Sequence, residues 1–529
     1  MTQPSTDRQK LIEDEEDASD FSQYMRYHSE TKTYSLQLRW KKLTHMDMVG
    51  LAVQLSSKTV RIDTLDLGQT EFDAQGVVGL CNILLTNKTI QSIDLGSNKL
   101  GTLGAQRIAE ALKRNTTLEF LNLEWNDIGT EGFLALLNGI KANPNSAIRV
   151  LDCHSNKIGP EGAIALANML SKDPPLLSVN LRFNPLGNDG VSALFRCLPH
   201  NNHIQAWDFI RSQVGDDALE AFRIAVQSGN RALSEFPKFH ATDNPLSVIP
   251  ENSQPPSDGM QNLLYPAGQT QFVALFLDGN DITSVGLESL ANGLLSLCSP
   301  PTPKNQIPNR YSISQLSLYQ NRTIARAGPV PQVEGLKVLN RVLLNEFCCL
   351  KHLDLGGCEL EDAGVQCLCE SLIAAPTLES LSLVKNKLTN MTAHNLLDVL
   401  PSNKALRSLD LSHNLFTELG IPDFFAIGAR NTTLEFVDIR GNSFGKEDWD
   451  KWVKTHEKDC RPGVIVWRDE KRNIDSASVK ENVKVTLYDP TPRKLSKQPS
   501  TSRLHLHPNT STATLPTPNP VSVPKTSAK

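Results

Sequence analysis

The sequence predicts an α/β solenoid with a parallel sheet on one wall, helices on the other and disordered termini. Two observations carry this. The frame of Leu118-Glu119-Phe120-Leu121-Asn122-Leu123-Glu124-Trp125-Asn126-Asp127-Ile128-Gly129 returns along almost the whole 529-residue chain, the mark of a stacked repeat array. Each such stretch is followed by an apolar run such as Phe133-Leu134-Ala135-Leu136-Leu137. Strands of one kind, each followed by one helix, can stack only in parallel.

Within a unit, Leu121 and Leu123 alternate as a short strand requires, so both point inward while Asn122 and Glu124 point out. Asn126 turns the chain, and its amide can bond backbone groups that the bend leaves unpaired. The array begins at Tyr34, where Leu36 and Leu38 alternate and Met48 to Leu55 supplies a helix. This reads as a degenerate capping repeat that shields the end of the core. Units follow from Ile62, Ile90, Leu118, Ile148 and Leu176, with turn residues Thr70, Asn98, Asn126, Asn156 and Asn184. The next unit, with Trp207 and Phe209, carries Ser212 in place of Asn. Trp207 reads as a core filler there.

Residues 230–270 break the frame with prolines 237, 245, 250, 255, 256 and 266, a long Pro/Ser-rich insertion. The expected organisation is therefore an acidic disordered N-terminus at 1–33, one lobe at 34–229, the insertion, and a second lobe with its cap at 271–468. A disordered Ser/Thr/Pro-rich tail fills 469–529, and after Asp489 it holds basic residues and no acid. The second lobe has its own insertion, Ser299 to Pro308, then units from Leu350, Leu378, Leu406 and Leu434 at a step of 28. Trp449 and Trp452 are placed to cover its last layer, and Val464 to Trp467 to add a final strand.

A net charge of -5 gives no general drive toward nucleic acid or anionic membrane. No apolar run approaches the roughly 20 residues of a membrane helix, and the first residues do not resemble a signal peptide. Ten cysteines lack framework spacing, and most sit at apolar repeat positions, which suits reduced thiols in the cytoplasm or nucleus. Cys348 with Cys349 and Cys367 with Cys369 lack metal-ligand spacing and read as core thiols. The triplets at Asn87, Asn115 and Asn431 share one helix-end position, so they read as turn chemistry rather than glycosylation acceptors.

Concave-wall residues can be enumerated from the alternation. The central column runs Asp66, Asp94, Asn122, Asp152, Asn180 and Asp208, then Phe276, Ser317, Asp354, Ser382, Asp410 and Asp438. With strands about 4.8 Å apart this is a carboxylate-rich ladder. It is either a groove for a basic partner or a residue that the repeat itself needs. No histidine joins that column, and no catalytic, cofactor-binding or metal-binding residues are assigned. Trp125, Phe183 and Tyr319, with Glu124, His154, Arg182, Arg211 and Arg440, share the same wall. Exposed aromatic and arginine side chains are the usual binding hot spots, so these residues, with Asp152 and Asp208, are the candidate protein-binding site.

The L-x-x-L-x-L-x-x-N-x-L frame, the 28-residue period and the Gly-led helix resemble the ribonuclease-inhibitor-like leucine-rich-repeat family over roughly residues 34 to 460. The resemblance implies a horseshoe whose concave wall binds protein. Nod-like receptors carry similar repeats behind a nucleotide-binding domain. The fragment Gly441-Asn442-Ser443-Phe444-Gly445-Lys446 is one residue short of a phosphate-binding loop and lies in a repeat turn. Ran GTPase-activating proteins are also similar, in the turn Asn156-Lys157-Ile158-Gly159-Pro160-Glu161-Gly162, but their Thr-Gly-Arg loop has no match here. The expectation is a non-enzymatic, cytoplasmic scaffold that binds protein partners and no small-molecule substrate. Nuclear or ciliary placement remains open, and the alternatives are a Ran-GAP-like GTPase activator and a structural part of an assembly such as the axoneme.

Overall fold

Most of the described strands are only three residues long, so the array depends on what joins one unit to the next. The computed structural model describes residues 21–232, 272–298, 311–322, 324, 332–456 and 465–466, apart from 30, 57–60, 72–75, 173, 175, 202 and 205. The first insertion from residue 233 on, the second insertion and the tail lie outside the described residues. The described residues fall within one compact unit, 1–472. They form one sheet of fifteen strands in sequence order, with thirteen α-helices running from His45–Ser56 to Lys446–His456.

Leu65, Ile93, Leu121, Leu151 and Val179 stand opposite one another in parallel register. The inward side chains therefore stack in a continuous column and are essentially fully buried. The helix Gly129–Ala142 closes its unit by burying Phe133, Leu136, Leu137 and Ile140, the i, i+3, i+4, i+7 stripe of an amphipathic helix.

Two expectations change. Of residues 1–33, expected to be a disordered terminus, 1–20 lie outside the described residues, while Met25–His28 pairs antiparallel with Thr33–Gln37 and covers the first edge of the sheet. The insertion does not separate two lobes. Ala206, Trp207 and Asp208 pair directly with Ala274, Leu275 and Phe276, and the helix before the gap runs on to Ala232. One core continues across the join. Trp207 is fully buried there, stacked on Phe209 at 5.4 Å, while Phe195 meets Phe209 and Phe222 edge-on. At the far end Trp449 packs on Phe425, and Ile465–Val466 adds the last parallel strand.

The turn asparagines join the units. Asn156 is fully buried. Its Nδ2 donates to the carbonyls of Leu123 at 2.7 Å and His154 at 3.0 Å. Its Oδ1 accepts from the backbone N–H of Asn126 at 3.0 Å and Ile128 at 3.3 Å. Asn184, Asn280 and Asn414 repeat the pattern. Thr70, Ser212 and Cys358 occupy the same slot, and each still donates to a carbonyl.

A second asparagine ladder serves the helix ends. Asn87, Asn115 and Asn431 each donate to a carbonyl of the preceding unit and are buried. They do the turn work expected of them, with their amide nitrogens enclosed.

Asn156→Ala would strand several buried backbone groups, at roughly 1–3 kcal/mol each. The expected outcome is a loss of about 3 kcal/mol or more in urea unfolding. A loss under about 1 kcal/mol would contradict the joining role.

Candidate protein-binding surface

The expected carboxylate ladder exists, but it is not a solvent-facing groove. Asp94, Asn122, Asp152, Asn180, Asp208 and Asp438 are all buried. Each accepts a hydrogen bond from the backbone N–H two residues on: Gly96 at 2.8 Å, Glu124 at 2.9 Å, His154 at 3.0 Å, Arg182 at 3.2 Å, Ile210 at 3.2 Å and Arg440 at 2.9 Å. A short carboxylate or amide lies back along its own strand in an Asx turn. Side chains of the neighbouring strands, about 4.8 Å away on either side, then close over it. Asp recurs in this slot because the bend after the strand needs an acceptor.

The adjoining column is also more enclosed than expected, since Glu124, His154, Arg182 and Tyr319 are buried. His154 does meet the carboxylates, contrary to the sequence reading. Its Nδ1 is 2.9 Å from Asp152 Oδ1 and its Nε2 is 3.3 Å from Glu124 Oε2. These three are the one set with metal-ligand spacing among the described residues. The arrangement acts as a hydrogen-bonded clamp across strands, and Gly96 makes room for it, since a Cβ there would lie 2.7 Å from Glu124 Cγ.

Burial, foremost, raises the Glu124 carboxyl, and His154 opposes it. Burial likewise raises Asp208 against Arg182, whose Nη1 is 4.0 Å from its carboxylate. Tyr319 is packed rather than displayed, with its hydroxyl accepting from Lys385 Nζ at 3.2 Å. Arg440 folds back onto Asp438, its Nη2 2.6 Å from Oδ2.

The side chains that do reach solvent occupy the next column. Trp40, Gln69, Ser97, Trp125, Ser155, Phe183, Arg211, Gln320, Lys385 and His413 all have positive φ, between 50° and 70°. Gly279, Gly357 and Gly441 share the column. Left-handed backbone costs an L-residue roughly 1–2 kcal/mol. Here every such N–H that precedes a further unit donates to that unit, as Trp125 does to the His154 carbonyl at 3.1 Å and Phe183 to Ile210 at 2.7 Å. The conformation is therefore imposed by the array, and the side chain is carried clear of the sheet.

Trp125 is 61% exposed and Trp40 72%, while Phe183 is half-buried and Arg211 exposed. The guanidinium carbons of Arg182 and Arg211 lie 5.9 Å and 5.8 Å from the Phe183 ring centre. Of the ten candidates, Trp125, Phe183 and Arg211 thus form an accessible row, and Arg440 stands half-exposed away from it. Asp152, Asp208, Glu124, His154, Arg182 and Tyr319 lie beneath the surface. Trp40 was missed, although Arg39-Trp40 follows Leu36 and Leu38 in the register by which Glu124-Trp125 follows Leu121 and Leu123.

A leucine-rich-repeat family model matches residues 86–109, 114–137, 145–167, 172–195 and 348–369, and a second such model matches 405–426. The chain is similar to the ribonuclease inhibitor of Mus musculus, 24% identical over 315 residues that make up 52% of this chain and 66% of that protein. The chain thus carries leucine-rich repeats, and its likeness to the ribonuclease inhibitor supports a resemblance to the ribonuclease-inhibitor-like family. It is also 40% identical over 88 residues to NACHT, LRR and PYD domains-containing protein 14 of Mus musculus, covering 16% of this chain and 9% of that one. Over 65 residues it is 43% identical to NACHT, LRR and PYD domains-containing protein 13 of Homo sapiens, covering 12% and 6%. The matches thus span less than two thirds of each relative's own length. Leucine-rich-repeat domains generally mediate protein–protein interaction, and this family is typically non-enzymatic. No helix of the described residues is long and apolar enough to cross a membrane.

The column's carboxylates, the half-buried Asp354 among them, make this repeat array pH-sensitive. Burial, foremost, pushes Asp354 up to about 6, against the Gly356 N–H that it accepts. The folded chain therefore binds an extra proton between about pH 4 and pH 6. The associated stability is fully present below about 4 and is lost as pH rises through about 6. Asp354→Asn keeps the acceptor without the charge, as Asn122 and Asn180 do naturally. It should raise the melting temperature at neutral pH, by at most about 2–3 kcal/mol of stability, with the gain vanishing near pH 4. A variant equal to wild type at both pH values would show that the buried charge costs nothing.

Proposed function

We propose that this protein is a cytoplasmic, non-enzymatic scaffold that docks a protein partner on the open face of its sheet, with Trp125 as the anchor. The exposure of Trp125 carries the reading. A large indole standing free at 61% exposure, between Ser97 and Ser155 of the flanking units, contributes little to the fold. Buried against a partner, an aromatic of this kind is worth about 2 kcal/mol or more.

The surroundings support the same surface. Trp125 lies three strands from Trp40 and two from Phe183 along the ladder. At about 4.8 Å per strand the row spans roughly 24 Å. Arg211 extends it, and its planar guanidinium suits carboxylate partners. The clamps below hold the backbone of the row in place, so docking need not order it, which lowers the entropy cost of association.

The test is comparative capture of partners from native lysate, followed by affinity measurement with the partner recovered. Trp125→Ala/Phe183→Ala should weaken binding about 30-fold or more. Leu419→Ala, at an equally exposed apolar residue outside the row, should leave it unchanged. Unaltered affinity in the double variant, with its fold confirmed by circular dichroism, would move the site off this wall.

A further inference from the structure

The helical side of the array changes character in its first three units. In the helix His45–Ser56, Met48, Leu51 and Leu55 are buried in the core. Met46, Val49 and Val53, three and four residues apart, therefore share the opposite side, turned away from the sheet. Met46 is 68% exposed and Val53 69%. On the next helices, Val77–Thr86 and Gly101–Leu112, the repeat frame puts Val78 at the place of Val49 and Leu103 at the place of Met46. Both are exposed, Leu103 at 53%, and so is Leu85. The three helices pack side by side: a Cβ at Gly79 would lie 2.6 Å from the Met48 carbonyl oxygen, and one at Gly104 3.6 Å from Val77 Cγ2. In the following units the place of Met46 and Leu103 is taken by Glu131, Glu161 and Asp189, all exposed. The repeat itself therefore does not require aliphatic side chains there, and a continuous exposed aliphatic face marks an interaction surface.

Exposed charge on the same units is cationic, although the whole chain carries -5. Over the described residues of 41–114 the exposed charged side chains are Lys41, Lys42, Arg61, Lys88, Lys99, Lys113 and Arg114, against Glu71 and Glu110. Each of the two acids is already ion-paired, with Lys42 at 3.5 Å and Lys113 at 2.5 Å. Lys88 adjoins the aliphatic face directly, its Nζ donating to the Leu85 carbonyl at 3.3 Å.

We propose that this outer face of the first three helices docks peripherally on an anionic lipid surface. Met46, Val53 and Leu103 enter the headgroup region, and the surrounding cations pair with its phosphates and carboxylates. Aliphatic side chains ringed by lysine and arginine suit an interfacial membrane contact. The long cationic stems can lie along apolar surface while their charges stay in water. The observations favour lipid over a protein partner. Protein hot spots are mostly Trp, Tyr and Arg seated in well-packed pockets, whereas this face presents aliphatic side chains ringed mainly by lysine. A fluid surface needs no matching shape. The aromatic row of Trp125 and Phe183 lies on the sheet instead, so the two faces are equipped for different partners.

The full chain is sedimented with vesicles of phosphatidylcholine mixed with phosphatidylserine, and with vesicles of phosphatidylcholine alone. It should bind the mixed vesicles about tenfold or more tightly than the neutral ones, and raised salt should release it. Met46→Ser/Val53→Ser should weaken binding to the mixed vesicles about tenfold or more, and so should Lys88→Glu/Arg114→Glu. Leu419→Ser, at an exposed apolar residue outside this face, should bind as wild type does, and so should Trp125→Ala/Phe183→Ala. Absence of binding to the mixed vesicles would overturn the proposal. Binding that survives both the serine and the charge-reversal variants would overturn it too, because the contact would then lie elsewhere in the chain. If no form binds vesicles but Met46→Ser/Val53→Ser loses a protein captured from lysate, the face belongs to a protein instead. The charge-reversal variant decides the matter even if the serine variant does not fold.

Discussion

The bond on which the structure depends is that between a buried turn asparagine and the backbone of the preceding unit. A strand such as Phe120–Asn122 is three residues long and could not hold a sheet by its ladder alone. The asparagine extends pairing past the strand by satisfying carbonyls and N–H groups that the bend would otherwise leave buried and unpaired. Because its amide supplies both donor and acceptor, it serves two units at once. Where another residue stands, as Thr70, Ser212 or Cys358, a donor is retained.

That joint sets what the open face can offer. The carboxylate column turns inward to cap its own strands, and the charged column beside it is clamped, as at Glu124–His154–Asp152. The left-handed residues after each strand, such as Trp40 and Trp125, are carried out to solvent. Their strained φ would be costly in isolation but is repeated unit after unit because the N–H it aims completes the parallel ladder. A side chain placed there is displayed on a rigid support at little further cost. Serine, glycine and glutamine fill most such positions, so the indoles of Trp40 and Trp125 stand out by chemistry as well as by exposure.

The fold was legible because period and alternation are local: Leu121, Leu123 and Asn126 announce strand, core and turn within six residues. The site was half legible. Alternation told which residues leave the core, but not how far they reach, because reach depends on neighbours one repeat away. Asp152 and Tyr319 face the wall and are buried, the first by its Asx turn and the second by packing beside Gly356, where a Cβ would sit 2.7 Å from the ring. His154 touches Asp152 from two positions on, a contact that a column-by-column reading separates. Continuity across the insertion could not be read at all, since the pairing of Ala206–Asp208 with Ala274–Phe276 spans a stretch without the repeat frame.

The most direct measurement is hydroxyl-radical footprinting of the free protein, reading oxidation residue by residue. If the wall is closed by its own hydrogen bonds and displays only the left-handed row, Trp40 and Trp125 will oxidise rapidly. Trp207 and Tyr319 will be protected. Protection of Trp125 equal to that of Trp207, or rapid oxidation of Tyr319, would contradict the account, because the row would then not be what this surface presents.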